Sequence, residues 1–170
     1  MPRTSTRKVV VTGLGIVSPV GNSVSQAWAN ITAGKSGIGP ITRFDASTFT
    51  SRIAGEVKDF DVAHWLNAKE ARRFDTFIHY GLVAGIEAIK DSGLDLERID
   101  RDMAGVCIGS GIGGLPLIEH THDAMLAGGA RKIGPFFIPG TIINMISGQL
   151  SIMYGLRGPN LAVVTACTTA

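Results

Sequence analysis

The chain has 170 residues, 45% of them hydrophobic, and a formal net charge of +2. That length and apolar content suit one folded domain with a sizeable core and exclude a disordered chain. Near-balanced charge excludes a sequence-wide field for nucleic acid or a membrane surface, so any charged partner site must be local.

The start, Met1 to Lys8, is basic and runs into Val9, Val10 and Val11, a faint imitation of a secretory signal. Gly13, Gly15, Pro19 and Gly21 break the apolar run before it reaches the length of an h-region. Nowhere does the chain approach the roughly 20 apolar residues of a membrane span. Residues 9–14 read instead as a short β-branched strand buried on both faces. Residues 23–33 read as a helix, with Ser23 as N-cap and Gly34 as its stop. A polar, irregular stretch follows, with a hairpin expected through residues 53–57.

Residues 67–92 give the strongest helical pattern: Phe74, Ile78, Leu82, Ile86 and Ile89 recur at spacings of three and four, and Gly93 ends it. Asn67 with Glu70 resembles a capping box. A second buried strand is expected over 104–109. The glycine-rich 109–114 then turns into a helix over 115–127. Pro135 and Pro139 bracket Phe136 and Phe137, a helix over 142–154 follows, and a third buried strand over 161–164 points at Cys167. Strands alternating with helices argue for an α/β layer structure with a mostly parallel sheet. Because Ala170 comes only three residues past Cys167, the expectation is a piece that stops just after that cysteine.

Cys107 and Cys167 form no CxxC pair, which fits free thiols and a reducing, cytoplasmic location. Cys167 sits where a strand meets a helix, among Thr165, Ala166, Thr168, Thr169 and Ala170. Small neighbours allow a tight bend, and helix N-terminal N–H groups favour a thiolate and can hold an oxyanion. The alternative is a small buried cysteine. Cys107, inside its strand, is expected to be an inert core thiol.

Gly109, Gly111 and Gly114 match a GxGxxG spacing between strand and helix, which would suit a dinucleotide. The acidic residue expected about 20 positions further on is missing, and Arg131 and Lys132 stand there. Close packing or a substrate channel explains these glycines better. Lys69, Arg72 and Arg73, and separately Arg131 and Lys132, form basic clusters that read either as solvated faces or as docking for an acidic partner. His120 and His122 point about 200° apart on a helix, which argues against a shared metal.

The run Val163-Val164-Thr165-Ala166-Cys167-Thr168-Thr169 resembles the nucleophile motif of the β-ketoacyl-acyl carrier protein synthases. So, in the same order, do Val9-Val10-Val11-Thr12-Gly13-Leu14-Gly15, Gly109-Ser110-Gly111-Ile112-Gly113-Gly114-Leu115, Pro135-Phe136-Phe137-Ile138-Pro139 and Tyr154-Gly155-Leu156-Arg157-Gly158-Pro159-Asn160. The type II elongating synthases, often called synthase II, are the most similar subtype. The resemblance implies an α/β, thiolase-like layered α-β-α fold, of which residues 1–170 form the N-terminal half only. It implies that Cys167 takes the acyl chain as a thioester, that Ile112 lines the acyl pocket and that Phe137 reaches across a homodimer interface. Lys69, Arg73, Arg131 and Lys132 match positions that dock acyl carrier protein, with Arg72 beside them. No cofactor or metal is implied, since phosphopantetheine arrives on the carrier protein. The histidines and lysine that support malonyl decarboxylation are expected outside these residues, so this piece alone is expected to be inactive. The readings set against a condensing enzyme are a non-catalytic subunit of the same fold that binds carrier protein or a partner chain, and a nucleotide-binding α/β protein.

Overall fold

A computed structural model describes residues 8–169; the basic start at residues 1–7 and Ala170 lie outside that range. Helix α1 (Val24–Thr32) forms as its sequence predicts. Ser23 adopts extended backbone and its hydroxyl accepts the Gln26 N–H, and beyond the helix Gly34 has φ of +66°. Strands β1 (Ile38–Pro40) and β2 (Ile53–Gly55) then pair antiparallel with Gly39 opposite Ala54. Residues 53–55 are thus one arm of a hairpin whose other arm lies well upstream.

The single helix expected over 67–92 is two helices, α2 (Ala68–Ala71) and α3 (Thr76–Asp91). Asn67 caps α2 through N–H groups of Lys69 and Glu70, and its amide donates to the Glu70 carboxylate at 2.6 Å. The break comes at Asp75, which takes extended backbone (φ −68°, ψ 159°) and accepts the Phe77 N–H to start α3 afresh. The apolar period runs through the break unchanged, which is why periodicity alone does not reveal it.

The core joins α3 to α6 (Met145–Tyr154) through Leu66, Ile78, Leu82, Ile86, Ile146 and Leu150. Two glycines of α3 allow the close approach: a Cβ on Gly81 would lie 2.6 Å from Ile146, and one on Gly85 2.5 Å from Leu150. Ile78, Leu82 and Leu150 are among the fully buried side chains, each worth about 2 kcal/mol in area removed from water. Strands β3 (Val106–Cys107) and β4 (Asn160–Leu161) pair in parallel across α6, with Val106 opposite Asn160 and Cys107 opposite Leu161. Helices α4 (Leu115–Gly128) and α5 (Phe137–Thr141) complete the fold. The helix expected from 142 begins at Met145, because residues 137–141 form a separate short helix.

The strands are shorter than the sequence predicts. Only residues 106–107 and 160–161 are regular, although the Ile108 N–H reaches the Leu161 carbonyl at 3.2 Å and the Ser110 N–H reaches that of Val163 at 3.3 Å. The expected strand over 9–14 does not form among the described residues, and Val9 and Val11 are 98% and 80% exposed. The physical reason lies in where its N–H groups go. Leu14, its last residue, donates to Asp91, and Ile16 just beyond it to Glu87, each at 2.9 Å, so at this end two carboxylates on α3 take the place of a neighbouring strand. Gly13 and Gly15 lie against the Ala88 and Ala84 carbonyls, where no Cβ would fit. The segment therefore has one face on α3 and the other uncovered.

Candidate active site

The approach to Cys167 is fixed from behind. Gly155 ends α6 in the left-handed region at φ +65°. Past it, the Arg157 guanidinium donates to Asp102 at 2.6 Å, and the Arg157 and Gly158 N–H groups bond the Arg101 and Ala104 carbonyls. That hydrogen bond, and then the charge of Arg157, hold the Asp102 carboxyl below the usual carboxylate range. Asn160 next pins β4 to α6: its amide donates to the Ser147 carbonyl and the Ser151 hydroxyl, while the fully buried Ser147 hydroxyl donates to the Asn160 oxygen at 2.9 Å. The motif from Tyr154 to Asn160 is thus a lock that sets where the next residues emerge.

What emerges is a strained turn. Ala166 has φ of +51°, a conformation that costs a residue with a Cβ about 1 kcal/mol. Residues 166–168 form a single 3₁₀ turn with Cys167 at its centre, exposed. The helix N-terminus expected behind the thiol is therefore one short turn among the described residues. Three threonines hold it. The Thr168 hydroxyl donates to the Thr165 carbonyl at 2.8 Å; the Thr169 hydroxyl accepts the Thr165 N–H at 3.0 Å and donates to the Ala166 carbonyl at 2.7 Å.

The glycine-rich loop belongs to this turn. A Cβ on Gly109 would run into the Thr169 methyl group and stand 2.6 Å from the Val163 carbonyl, and one on Gly111 would stand 3.5 Å from that of Ala166. Close packing against the turn thus accounts for Gly109, while the Gly111 position is in ordinary van der Waals contact with it. Ile112 rides on the same loop at 76% exposure, so the described residues do not enclose it as a pocket wall. Cys107 also departs from expectation. It is exposed, because the parallel pair has α6 on one face only. Burial therefore does not distinguish the two thiols.

The basic residues gather at a second place. Arg72, Arg73 and Lys132 line a cavity of about 230 Å³ with Phe136, Phe137 and His120. The Arg73 guanidinium stacks over the Phe136 ring at 4.6 Å. Phe137 is thus brought to the cations and does not stand apart from them. Lys69, on α2, and Arg131, in the 3₁₀ turn Ala130–Lys132, are exposed and lie outside the cavity lining. His122 turns away from His120 toward Asp123, at 3.5 Å. A larger cavity of about 680 Å³ lies elsewhere, where Arg43 donates to Tyr80 at 2.7 Å, and contains none of the expected site residues.

Two contributors lie beyond the sequence reading. Asp75 is buried, and its second carboxylate oxygen accepts the Leu117 N–H at 2.8 Å while its own N–H reaches the Gly140 carbonyl. It ties α3, α4 and α5 together beneath the basic cavity. The helical pattern over 67–92 does not reveal it. Thr169 is the other; its neighbourhood to Cys167 is visible, but its double hydrogen bond is not.

Comparison with known proteins gives a consistent picture. A model of the "Beta-ketoacyl synthase, N-terminal domain" family matches residues 6–170. Proteins named 3-oxoacyl-[acyl-carrier-protein] synthase 2 are 55% identical over 97% of the chain in Vibrio harveyi and 56% identical over 96% in Coxiella burnetii. The chain spans 40% and 39% of the length of these relatives. Among solved structures, an ishigamide ketosynthase/chain length factor superposes with a TM-score of 0.76 at 28% identity, covering 92% of this chain and 39% of that one. A type II polyketide synthase acyl-carrier protein in complex with its ketosynthase gives 0.71 at 29% identity, covering 88% and 40%. The neighbours establish the thiolase-like α/β architecture that the resemblance implies.

Proposed function

The chain belongs to the β-ketoacyl synthase family, and from that premise we propose that it forms the acyl-accepting part of a fatty-acid condensing enzyme with Cys167 as the nucleophile. The observation that carries the proposal is the exposed thiol on a strained, hydrogen-bonded turn at the family's nucleophile motif. In the first half-reaction the Cys167 thiolate attacks the carbonyl of an acyl thioester on acyl carrier protein. The carrier thiol leaves with a proton, and the acyl group stays on sulfur. In the second, malonyl-carrier protein loses carbon dioxide, and the carbanion attacks the Cys167 thioester to release 3-oxoacyl-carrier protein and the free cysteine. The groups that assist decarboxylation belong, on the family resemblance, to residues outside this sequence.

The partner follows from charge. Arg72, Arg73 and Lys132 around one cavity, with Lys69 and Arg131 exposed outside its lining, suit an acidic protein, and one ketosynthase neighbour was solved with its acyl-carrier protein. The phosphopantetheine arm arrives with that partner, and we assign the chain no cofactor of its own. A homodimer completed by Phe137, and a cytoplasmic location, belong to the same proposal; no helix among the described residues is long and apolar enough to cross a membrane.

The test is acylation of the complete protein by acyl-carrier protein, read by intact mass and peptide mapping. One acyl group is expected on Cys167, none in Cys167→Ala, and an undiminished level in Cys107→Ser. Because both thiols are exposed, an acyl group found on Cys107 would refute the assignment directly. A partner subunit without catalysis would show carrier-protein binding and no acylation at either cysteine.

A further inference from the structure

We propose that Thr169 is a positioning residue for Cys167, its hydroxyl acting as the clasp that holds the nucleophile turn in its reactive shape; this rests on the assignment of Cys167 as the acyl acceptor. The Thr169 hydroxyl bridges the strained residue from both sides. It accepts the N–H of Thr165, the residue before Ala166, at 3.0 Å, and donates to the carbonyl of Ala166 itself at 2.7 Å. One oxygen thus ties the peptide group before Thr165 to the peptide group after Ala166 and closes a ring around the φ of +51° at Ala166. The Ala166 carbonyl also receives the Thr169 N–H at 3.2 Å, so the side chain and backbone of one residue close on the same acceptor.

Without the hydroxyl, the Thr165 N–H loses this partner, and Ala166 can relax toward the ordinary right-handed region that an alanine prefers. Such a rotation re-aims the next residue, Cys167. A nucleophile displaced by about 1 Å loses on the order of a hundredfold in rate even when its chemistry is intact. The methyl group has a separate role. It fills the space beside Gly109, where a Cβ would collide with it, so the side chain seats the glycine loop with its methyl and the cysteine turn with its hydroxyl.

The two roles are separable by substitution in the complete protein. Thr169→Val keeps a methyl group beside Gly109 and removes the clasp; Thr169→Ser keeps the clasp and removes the methyl. The readouts are the single-turnover rate of Cys167 acylation from acyl-carrier protein and the split between kcat and KM. T169V is expected to acylate at least tenfold more slowly with KM for carrier protein within twofold, since the basic cavity is built from other elements. T169S is expected within twofold of the parent in both. An unchanged rate in T169V overturns the proposal, and so does a T169S variant as slow as T169V, which would make the methyl the operative group. If T169V does not fold, Thr169→Ala replaces it with the same expectation. Cys167→Ala run alongside separates the two ideas: acylation persisting in C167A refutes the assignment of the nucleophile, whereas a dead C167A with a fully active T169V refutes the clasp alone.

Discussion

Replacing Asp75 by asparagine tests the joint beneath the basic cavity. The carboxylate accepts two N–H groups, Leu117 at 2.8 Å and Phe77 at 3.3 Å, at a residue only 7% exposed. Asparagine has one carbonyl oxygen and one amide nitrogen, so one of these N–H groups must face another donor or lose its partner. A hydrogen bond to a charged acceptor contributes about 1.5–3 kcal/mol, and an orphaned buried donor costs a similar amount. The shorter contact to Leu117 carries most of this, and the expected cost is about 2 kcal/mol. Because the loss is local to the α3–α4 joint, hydrogen exchange at the Leu117 amide is the sharpest assay. Opening there becomes about 30-fold more frequent for a 2 kcal/mol change. Protection of the α1 amides stays as it is. A Leu117 amide that exchanges at the parent rate in D75N, within a factor of about two, would show that the carboxylate does not hold α4 and that the joint is made by apolar packing alone.

Glu87→Gln weakens the anchoring of the N-terminal segment. Glu87 accepts the Ile16 and Val24 N–H groups, both at 2.9 Å, and glutamine can serve only one, so exchange at one of the two amides accelerates by roughly tenfold or more for a loss of about 1.5 kcal/mol. Asp102→Asn separates an ionic from a steric role in the lock before β4. The folded-state pKa of Asp102 is lowered by Arg157. Its contribution is therefore present above the unfolded carboxylate value, about pH 4, and is lost as pH falls through the still lower folded value. The difference in melting temperature between parent and D102N should be constant from about pH 5 to 7 and shrink below about pH 4; a difference that grows on acidification would reverse the sign and refute the ion pair. Because this pair is exposed, the difference is small at all pH values and smaller in high salt.

Features set by nearest neighbours along the chain were legible in the sequence. Ser23, Asn67 and Gly155 end or begin helices through hydrogen bonds to residues two to four positions away, and the sequence names all the partners. Strand extent is different in kind. Residues 9–14 have the composition of a buried strand, yet a ladder needs a second chain segment at the right height, and here the Leu14 N–H meets Asp91 and the Ile16 N–H just beyond meets Glu87 instead. The misplaced helix boundary at Asp75 has a related origin. Besides the Phe77 N–H that starts α3, its carboxylate accepts the N–H of Leu117, 42 positions away. The basic residues were readable as two clusters, but only the fold shows that Arg72, Arg73 and Lys132 share one cavity with Phe137 while Lys69 and Arg131 do not line it.

The contrast between Cys107 and Cys167 survives, but on different physical grounds from those the sequence suggested. Position in the chain predicted a buried Cys107 and left Cys167 either presented or buried; both are exposed. What separates them is the backbone that carries each. Cys107 lies in a regular parallel pair, with its side chain direction set by the pleat and no strain to maintain. Cys167 follows a residue held at φ +51°, on a turn bonded by the Thr168 and Thr169 hydroxyls and beside a loop whose Gly109 admits a side chain's methyl group and a carbonyl. Strain of this kind persists only where surrounding contacts over-determine it. Gly109 therefore serves the cysteine: a glycine that in another fold would bring backbone close to a phosphate here brings it close to the nucleophile's own turn.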